Sequence, residues 1–164
     1  NRRTVEIYKE EFEFKESLDE LVQERERRVF KLLDKKIPPM AGVIELVDSL
    51  IKGKIKLAIA TGGPHKDRIQ RILRELGISK YIAAIVTGEQ IQRHKPAPDI
   101  FLLAAKKLNV DPKYCLVFED APSGIEAAKA AGMMAYGVNR DEETRRQLEE
   151  KGADKVFQNL LETI

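Results

Sequence analysis

Cysteine is almost missing from this chain: Cys115 is the only one in 164 residues. An intrachain disulfide is thereby excluded, and a reducing compartment fits. Cys115 opens the apolar stretch Cys115-Leu116-Val117-Phe118 with no histidine or second cysteine nearby in sequence. That pattern points to a buried, inert thiol rather than a nucleophile. No apolar run approaches the length of a membrane span and no signal peptide is visible, so a cytoplasmic protein is expected. Charge of one sign is lacking too. The 29 basic and 27 acidic residues are interspersed and leave a net charge of +2, which gives no electrostatic footprint for nucleic acid or membrane. The run Glu24-Arg25-Glu26-Arg27-Arg28 reads as a solvated helix face with intrahelical ion pairs. Internal repeats, low-complexity stretches, a Walker A phosphate loop and a G-x-S-x-G elbow are all absent.

What is present is a core and a rhythm. A hydrophobic fraction of 43% suffices for one buried core, with room in the length for a second small piece. Residues 1–37 read as a helical hairpin. Val5, Tyr8 and Phe12 share a face, Ser17 and Glu20 form a capping box, and Leu18, Leu21, Val22, Val29 and Leu32 continue an apolar stripe. Pro38-Pro39 ends that pattern, and Gly42 introduces a helix from Val43 to about Ile51. Strands and helices then alternate. Strands are expected at Leu57–Ala60, Ala84–Val86, Cys115–Phe118, Met134–Val138 and Lys155–Phe157. Helices are expected at Pro64–Glu75, Ile100–Leu108, Ser123–Ala131 and Asp141–Lys151. This spacing means βαβ units: an α/β protein whose parallel sheet has helices on both faces and strands buried on both sides.

Ligands in such sheets bind outside the carboxyl ends of the strands, and three clusters fall there. Thr61-Gly62-Gly63 follows the first strand. A hydroxyl and two glycines let backbone N–H groups approach an anion, although a plain turn reads equally well from these residues alone. Lys95-Pro96-Ala97-Pro98-Asp99 holds a lysine on a stiff stem, with Asp99 placed to cap the next helix; taken alone, Lys95 is an ordinary surface lysine. Glu119-Asp120 ends the third strand. Two adjacent carboxylates there suit a hard cation such as Mg2+ bound together with substrate phosphate. Ser123 and Glu126 supply a capping box for the following helix, which leaves both acids free. The two histidines, His65 and His94, lack the paired spacing of a zinc site.

Ala60-Thr61-Gly62-Gly63-Pro64, Lys95-Pro96-Ala97-Pro98-Asp99-Ile100-Phe101 and Val117-Phe118-Glu119-Asp120-Ala121-Pro122-Ser123-Gly124-Ile125 resemble motifs II, III and IV of the haloacid dehalogenase-like superfamily. The wording of the last two is closest to its β-phosphoglucomutase-like and sugar-phosphate phosphatase branch. The resemblance covers about residues 38–164 and implies a Rossmann-like core, while residues 1–37 resemble the closing helices of that branch's helical cap. It implies Mg2+-dependent phosphoryl transfer on a small phosphorylated metabolite, a sugar phosphate, through an aspartyl-phosphate. Thr61 and the Gly62 N–H would hold phosphate oxygens, Lys95 would balance charge, and Glu119 and Asp120 would hold Mg2+.

Two departures stand out. His94 occupies the position where the family usually has glycine. The Asp-x-Asp of motif I, which supplies nucleophile and general acid/base, occurs nowhere in the chain. The family's first strand, central between those of motifs II and IV, is therefore expected to lie in a preceding segment, and the chain alone to be inactive. The alternative is a non-catalytic binding or regulatory module that lost motif I. Oligomeric state has no signature in the sequence.

Overall fold

The first N–H groups of a helix need outside acceptors, and at Ser17 the side chains supply them. Glu20 Oε2 accepts from the Ser17 N–H at 2.8 Å, and Ser17 Oγ accepts from the Glu20 N–H at 3.3 Å. This capping box opens α2 (Leu18–Leu33), which packs on α1 (Arg2–Glu11). The connection is tied by Lys9 Nζ, which donates to the carbonyls of Phe14 and Glu16. The computed structural model describes residues 2–33, 38–63 and 65–164, and the chain divides into two units, 1–39 and 40–164. In the first unit Val5 is buried, but Tyr8 and Phe12 are 52% and 62% exposed. The shared face expected for these three is thus only partly covered, because two helices cannot enclose a whole stripe. Tyr8, Phe12 and Phe14 instead form a row with ring centroids 6.1 and 6.3 Å apart. The Val29 and Leu32 side chains, expected on the inner stripe, lie outside those described.

The second unit alternates as its periodicity predicts: α3 (Val43–Lys52), β1 (Leu57–Thr61), α4 (Lys66–Glu75), β2 (Ile82–Thr87), α5 (Asp99–Leu108), β3 (Leu116–Glu119), α6 (Pro122–Ala130), β4 (Met134–Val138), α7 (Glu142–Glu150) and β5 (Lys155–Phe157). Pro64, expected to start α4, lies outside the described residues. α6 begins one residue earlier than expected because Pro122 is pre-set for the first helical position. Ser123 then sits inside the first turn, so the expected Ser123–Glu126 capping box does not form; Glu126 pairs with Lys151, just past the end of α7, at 2.8 Å.

All strand pairings are parallel, but they fall into two sheets, β1–β2 and β3–β4–β5. Among the described residues β1 pairs only with β2, and β3 only with β4. Side chains alternate between two packed layers. Ala58 and Ala60 of β1, with Val117 of β3, join Ile100, Phe101, Ile125 and Leu148 on the layer of α5, α6 and α7. Leu57 and Ile59 join Val47 and Leu73 of α3 and α4, while Phe118 joins Leu46, Val138 and Leu160. The five residues of β1 are each only half-buried, where burial on both sides was expected. The cause is its open edge. No helix among the described residues is long and apolar enough to cross a membrane.

Candidate active site

β1 hands the chain to its first candidate at Thr61, the last residue paired with β2, opposite Thr87. The chain turns at once, and Thr61 Oγ1 accepts the Gly63 N–H at 3.3 Å. A Cβ built on Gly62 meets nothing within 4 Å, so its backbone is open to a ligand. Gly88, after β2, is fixed by close approach. A Cβ there would strike the Gly62 carbonyl oxygen and come within 3.2 Å of His94 Cε1. His94 thus packs beside the Thr61–Gly62 turn.

Lys95 reaches the same region from a turn, not from the extended stem expected, because the Ala97 N–H donates back to the His94 carbonyl at 3.0 Å. Asp99 does not cap α5, contrary to expectation. Its carboxylate accepts from the Arg93 N–H at 3.3 Å and from Arg93 Nη2 at 2.7 Å. A forked guanidinium offers charge-assisted bonds that a neutral backbone donor does not match, and it holds the Asp99 carboxyl below the ordinary range. The pair closes a loop over residues 93–99 with Lys95 inside it. Lys95 Nζ sits 4.9 Å from the centroid of the buried Phe101 ring and 2.5 Å from Glu119 Oε2.

Glu119 ends β3 with its side chain only 9% exposed. It lies across the first turn of α6, where a Cβ on Gly124 would overlap its Cγ and Cδ. Burial pushes the Glu119 carboxyl above the ordinary range and the neighbouring Asp120 adds to this, against the pull of Lys95. Neither acid caps α6, whose N-cap, Ala121, makes no side-chain bond. The acids are therefore uncommitted to the helix, though not for the reason the capping box implied. The Asp120 carbonyl accepts from Asn139 Nδ2 at 3.1 Å.

Thr61, Gly62, Lys95, Glu119 and Asp120 line one cavity of about 410 Å3, floored by Phe118, Val138 and Leu160. Polar groups converge on an apolar floor, as in a small-molecule site. The donor set fits a hard cation: two adjacent carboxylates at a strand end, opening on the same cavity as the exposed Gly62 backbone. Among the described residues no group of three or more His, Cys, Asp or Glu forms a metal cluster, as zinc would require. Cys115 is half-buried, its Sγ 3.6 Å from the Asp111 carbonyl, and burial pushes its thiol upward. A buried thiol inside the strand was expected; Cys115 is instead half-buried and precedes β3, which begins at Leu116.

Sequence reasoning missed Phe101 as a seat for Lys95 and Asn139 as a partner of Asp120. Asn139 follows the carboxyl end of β4, so the strand-end rule that nominated the other residues would have reached it. Phe101 stood in the stretch that resembles motif III, but nothing in the sequence tied its ring to Lys95.

The haloacid dehalogenase-like hydrolase model matches residues 1–138. The phosphorylated carbohydrates phosphatase of Thermotoga maritima is 40% identical over 156 residues, covering 93% of this chain and 70% of that protein. Fructose-1-phosphate phosphatase YqaB of Escherichia coli is 38% identical over 118 residues, covering 72% of this chain and 61% of its own length. A solved structure from Thermotoga maritima, assigned as a β-phosphoglucomutase, superposes with a TM-score of 0.76 at 35% identity over 95% of this chain and 72% of that one. Fold, strand-end cavity and relatedness agree, and the chain belongs to the haloacid dehalogenase-like hydrolases.

Proposed function

We propose that this chain is part of an enzyme that transfers a phosphoryl group, with Mg2+, from a small phosphorylated metabolite, a sugar phosphate, as a phosphatase or phosphomutase. The observation that carries the reading is the meeting of Thr61, Gly62, Lys95, Glu119 and Asp120 around one cavity. The names of the relatives, for phosphorylated carbohydrates and for fructose 1-phosphate, support the substrate class.

In this reading the Thr61 hydroxyl and the Gly62 N–H hold non-bridging phosphate oxygens. Lys95, steadied by Phe101 and Glu119, neutralises charge that builds up in the transition state. Glu119 and Asp120 hold Mg2+, which when bound supplies Lewis-acid polarisation of the phosphoryl oxygens. An aspartate carboxylate oxygen forms a bond to phosphorus as the bond to the leaving oxygen breaks. That aspartyl-phosphate then yields to water or to a sugar hydroxyl. No Asp-x-Asp is available in these 164 residues, so the attacking acid comes from a preceding segment. The open edges of β1 and β3 support a strand between them as its carrier.

The test is hydrolysis of p-nitrophenyl phosphate by the full-length protein that contains Asn1–Ile164. Turnover is expected, and Asp120→Asn is expected to lower kcat about 10²-fold or more. Undiminished turnover in Asp120→Asn removes the metal assignment. No turnover in the parent, with no Asp-x-Asp upstream, leaves a non-catalytic module.

A further inference from the structure

The acidic loop is tied to a second strand end by one side chain. Asn139 directly follows β4, and its Nδ2 donates to the Asp120 carbonyl at 3.1 Å. Every other polar group of Asn139 is already engaged. Its backbone N–H donates to the Phe157 carbonyl of β5 at 3.0 Å, and its carbonyl accepts from Arg145 Nη1 at 3.1 Å. Its Oδ1 accepts the Asp141 N–H at 2.9 Å. That last bond fixes the amide orientation, because only the Oδ1 end can accept from a backbone N–H, and the NH2 end must then face Asp120. The corner is braced again by Arg145 Nη1 on the Arg140 carbonyl at 2.7 Å, and by the Asp141 carboxylate capping α7 through the Thr144 N–H at 2.7 Å.

The result is a braced corner at residues 139–141 from which the Asn139 side chain reaches out to the peptide of Asp120. Asp120 is past the last paired residue of β3, Glu119, so no sheet hydrogen bond orients its peptide. Asn139 does so instead. Asn139 is absent from the residues lining the cavity, so it acts through Asp120 and not on a ligand.

The geometry points to Asn139 as the positioning residue that sets the affinity of the Glu119–Asp120 pair for a divalent cation; the inference rests on the metal reading above. Outer contacts of this kind orient the ligating side chain, and their loss weakens metal affinity about 10- to 100-fold. The 139–141 corner itself survives their loss, since Phe157 and Arg145 still hold its backbone.

The experiment is Mn2+ binding to the full-length protein that contains Asn1–Ile164, followed by the electron paramagnetic resonance of free Mn2+, with melting temperature measured alongside. Asn139→Ala is expected to raise the Mn2+ Kd about tenfold. Thr144→Ala, which removes the Thr144 Oγ1 bond to the Asp141 carboxylate at 2.8 Å and so loosens the α7 cap at the same corner without touching Asp120, is expected to lower the melting temperature and leave Kd unchanged. If Asn139→Ala does not fold, Asn139→Thr replaces it, because its hydroxyl accepts from Asp141 but is too short to reach the Asp120 carbonyl. A Kd within about twofold of the parent in the Asn139 variant overturns the proposal. So does equal weakening in both variants, which would make the role merely structural. Asp120→Asn separates the two readings: if it weakens Mn2+ binding and Asn139→Ala does not, the metal site stands and the positioning role falls. If the parent shows no saturable binding, both fall.

Discussion

Lys95 and Glu119 illustrate how single residues at this site depend on one another. The lysine is mostly buried, at 19% exposure, over the face of Phe101, and its ammonium is 2.5 Å from the Glu119 carboxylate. Glu119 reaches it only because position 124 carries no side chain. Gly124→Ala therefore forces the Glu119 stem aside and breaks the ion pair. The expected cost is about 1–3 kcal/mol by chemical denaturation, as for an overpacked core position, and a crystal structure of the variant should show Glu119 withdrawn from Lys95. An unchanged denaturation midpoint with the pair intact would contradict the packing account. Lys95, Glu119 and Asp120 were legible as separate letters at strand ends. Their mutual contacts were not, because Lys95 and Glu119 are 24 residues apart and only the fold closes that distance.

Strands were the most legible elements. β4 and β5 have the boundaries that Met134–Val138 and Lys155–Phe157 indicated, because the side chains and the flanking turn residues mark short strands locally. Helix starts were less legible. At α6 a proline outranked a capping serine, and at α5 an arginine outranked a backbone donor for Asp99. Elements are also stapled by pairs that no local pattern announces. Asp154, just before β5, accepts from Lys129 Nζ of α6 at 2.8 Å and from the Ala135 N–H of β4 at 2.7 Å. The Lys129 contact, then the Ala135 N–H, hold its carboxyl below the value of 3.8 that it starts from. The folded state thus binds this proton less readily than the unfolded chain does. The stabilisation is fully present above about pH 4 and is lost as pH falls through the folded pKa. Asp154 and Lys129 are each more than a third exposed, so solvent screening keeps the contribution to about 1 kcal/mol or less. Asp154→Asn should lower the melting temperature at neutral pH, with the gap to the parent closing on acidification. A gap that persists at low pH would contradict this sign.

At the scale of the whole second unit, the parallel sheet is in two parts, and the cavity lies where their strand ends face one another. Strand edges left open withhold hydrogen bonds worth about 0.5–1.5 kcal/mol each when made. A preceding segment that inserts a strand between β1 and β3 is expected to add several kcal/mol to the stability of this unit. Hydrogen exchange in the presence and absence of that segment measures it: the amides of Leu57–Thr61 and Leu116–Glu119 should gain protection together. Exchange left unchanged along both strands would contradict a shared seat for the strand. The sequence by itself determined which stretches become strand or helix, that the strands run parallel, and that three polar clusters fall at strand ends. Those properties follow from side-chain periodicity and turn residues, which act over a few positions of chain. Only the tertiary structure decided how the clusters touch one another: the Lys95–Glu119 ion pair, the Phe101 ring under Lys95 and the Asn139 bond to the Asp120 carbonyl. Those properties depend on contacts between residues far apart in sequence, and such contacts exist only once burial has packed the layers together.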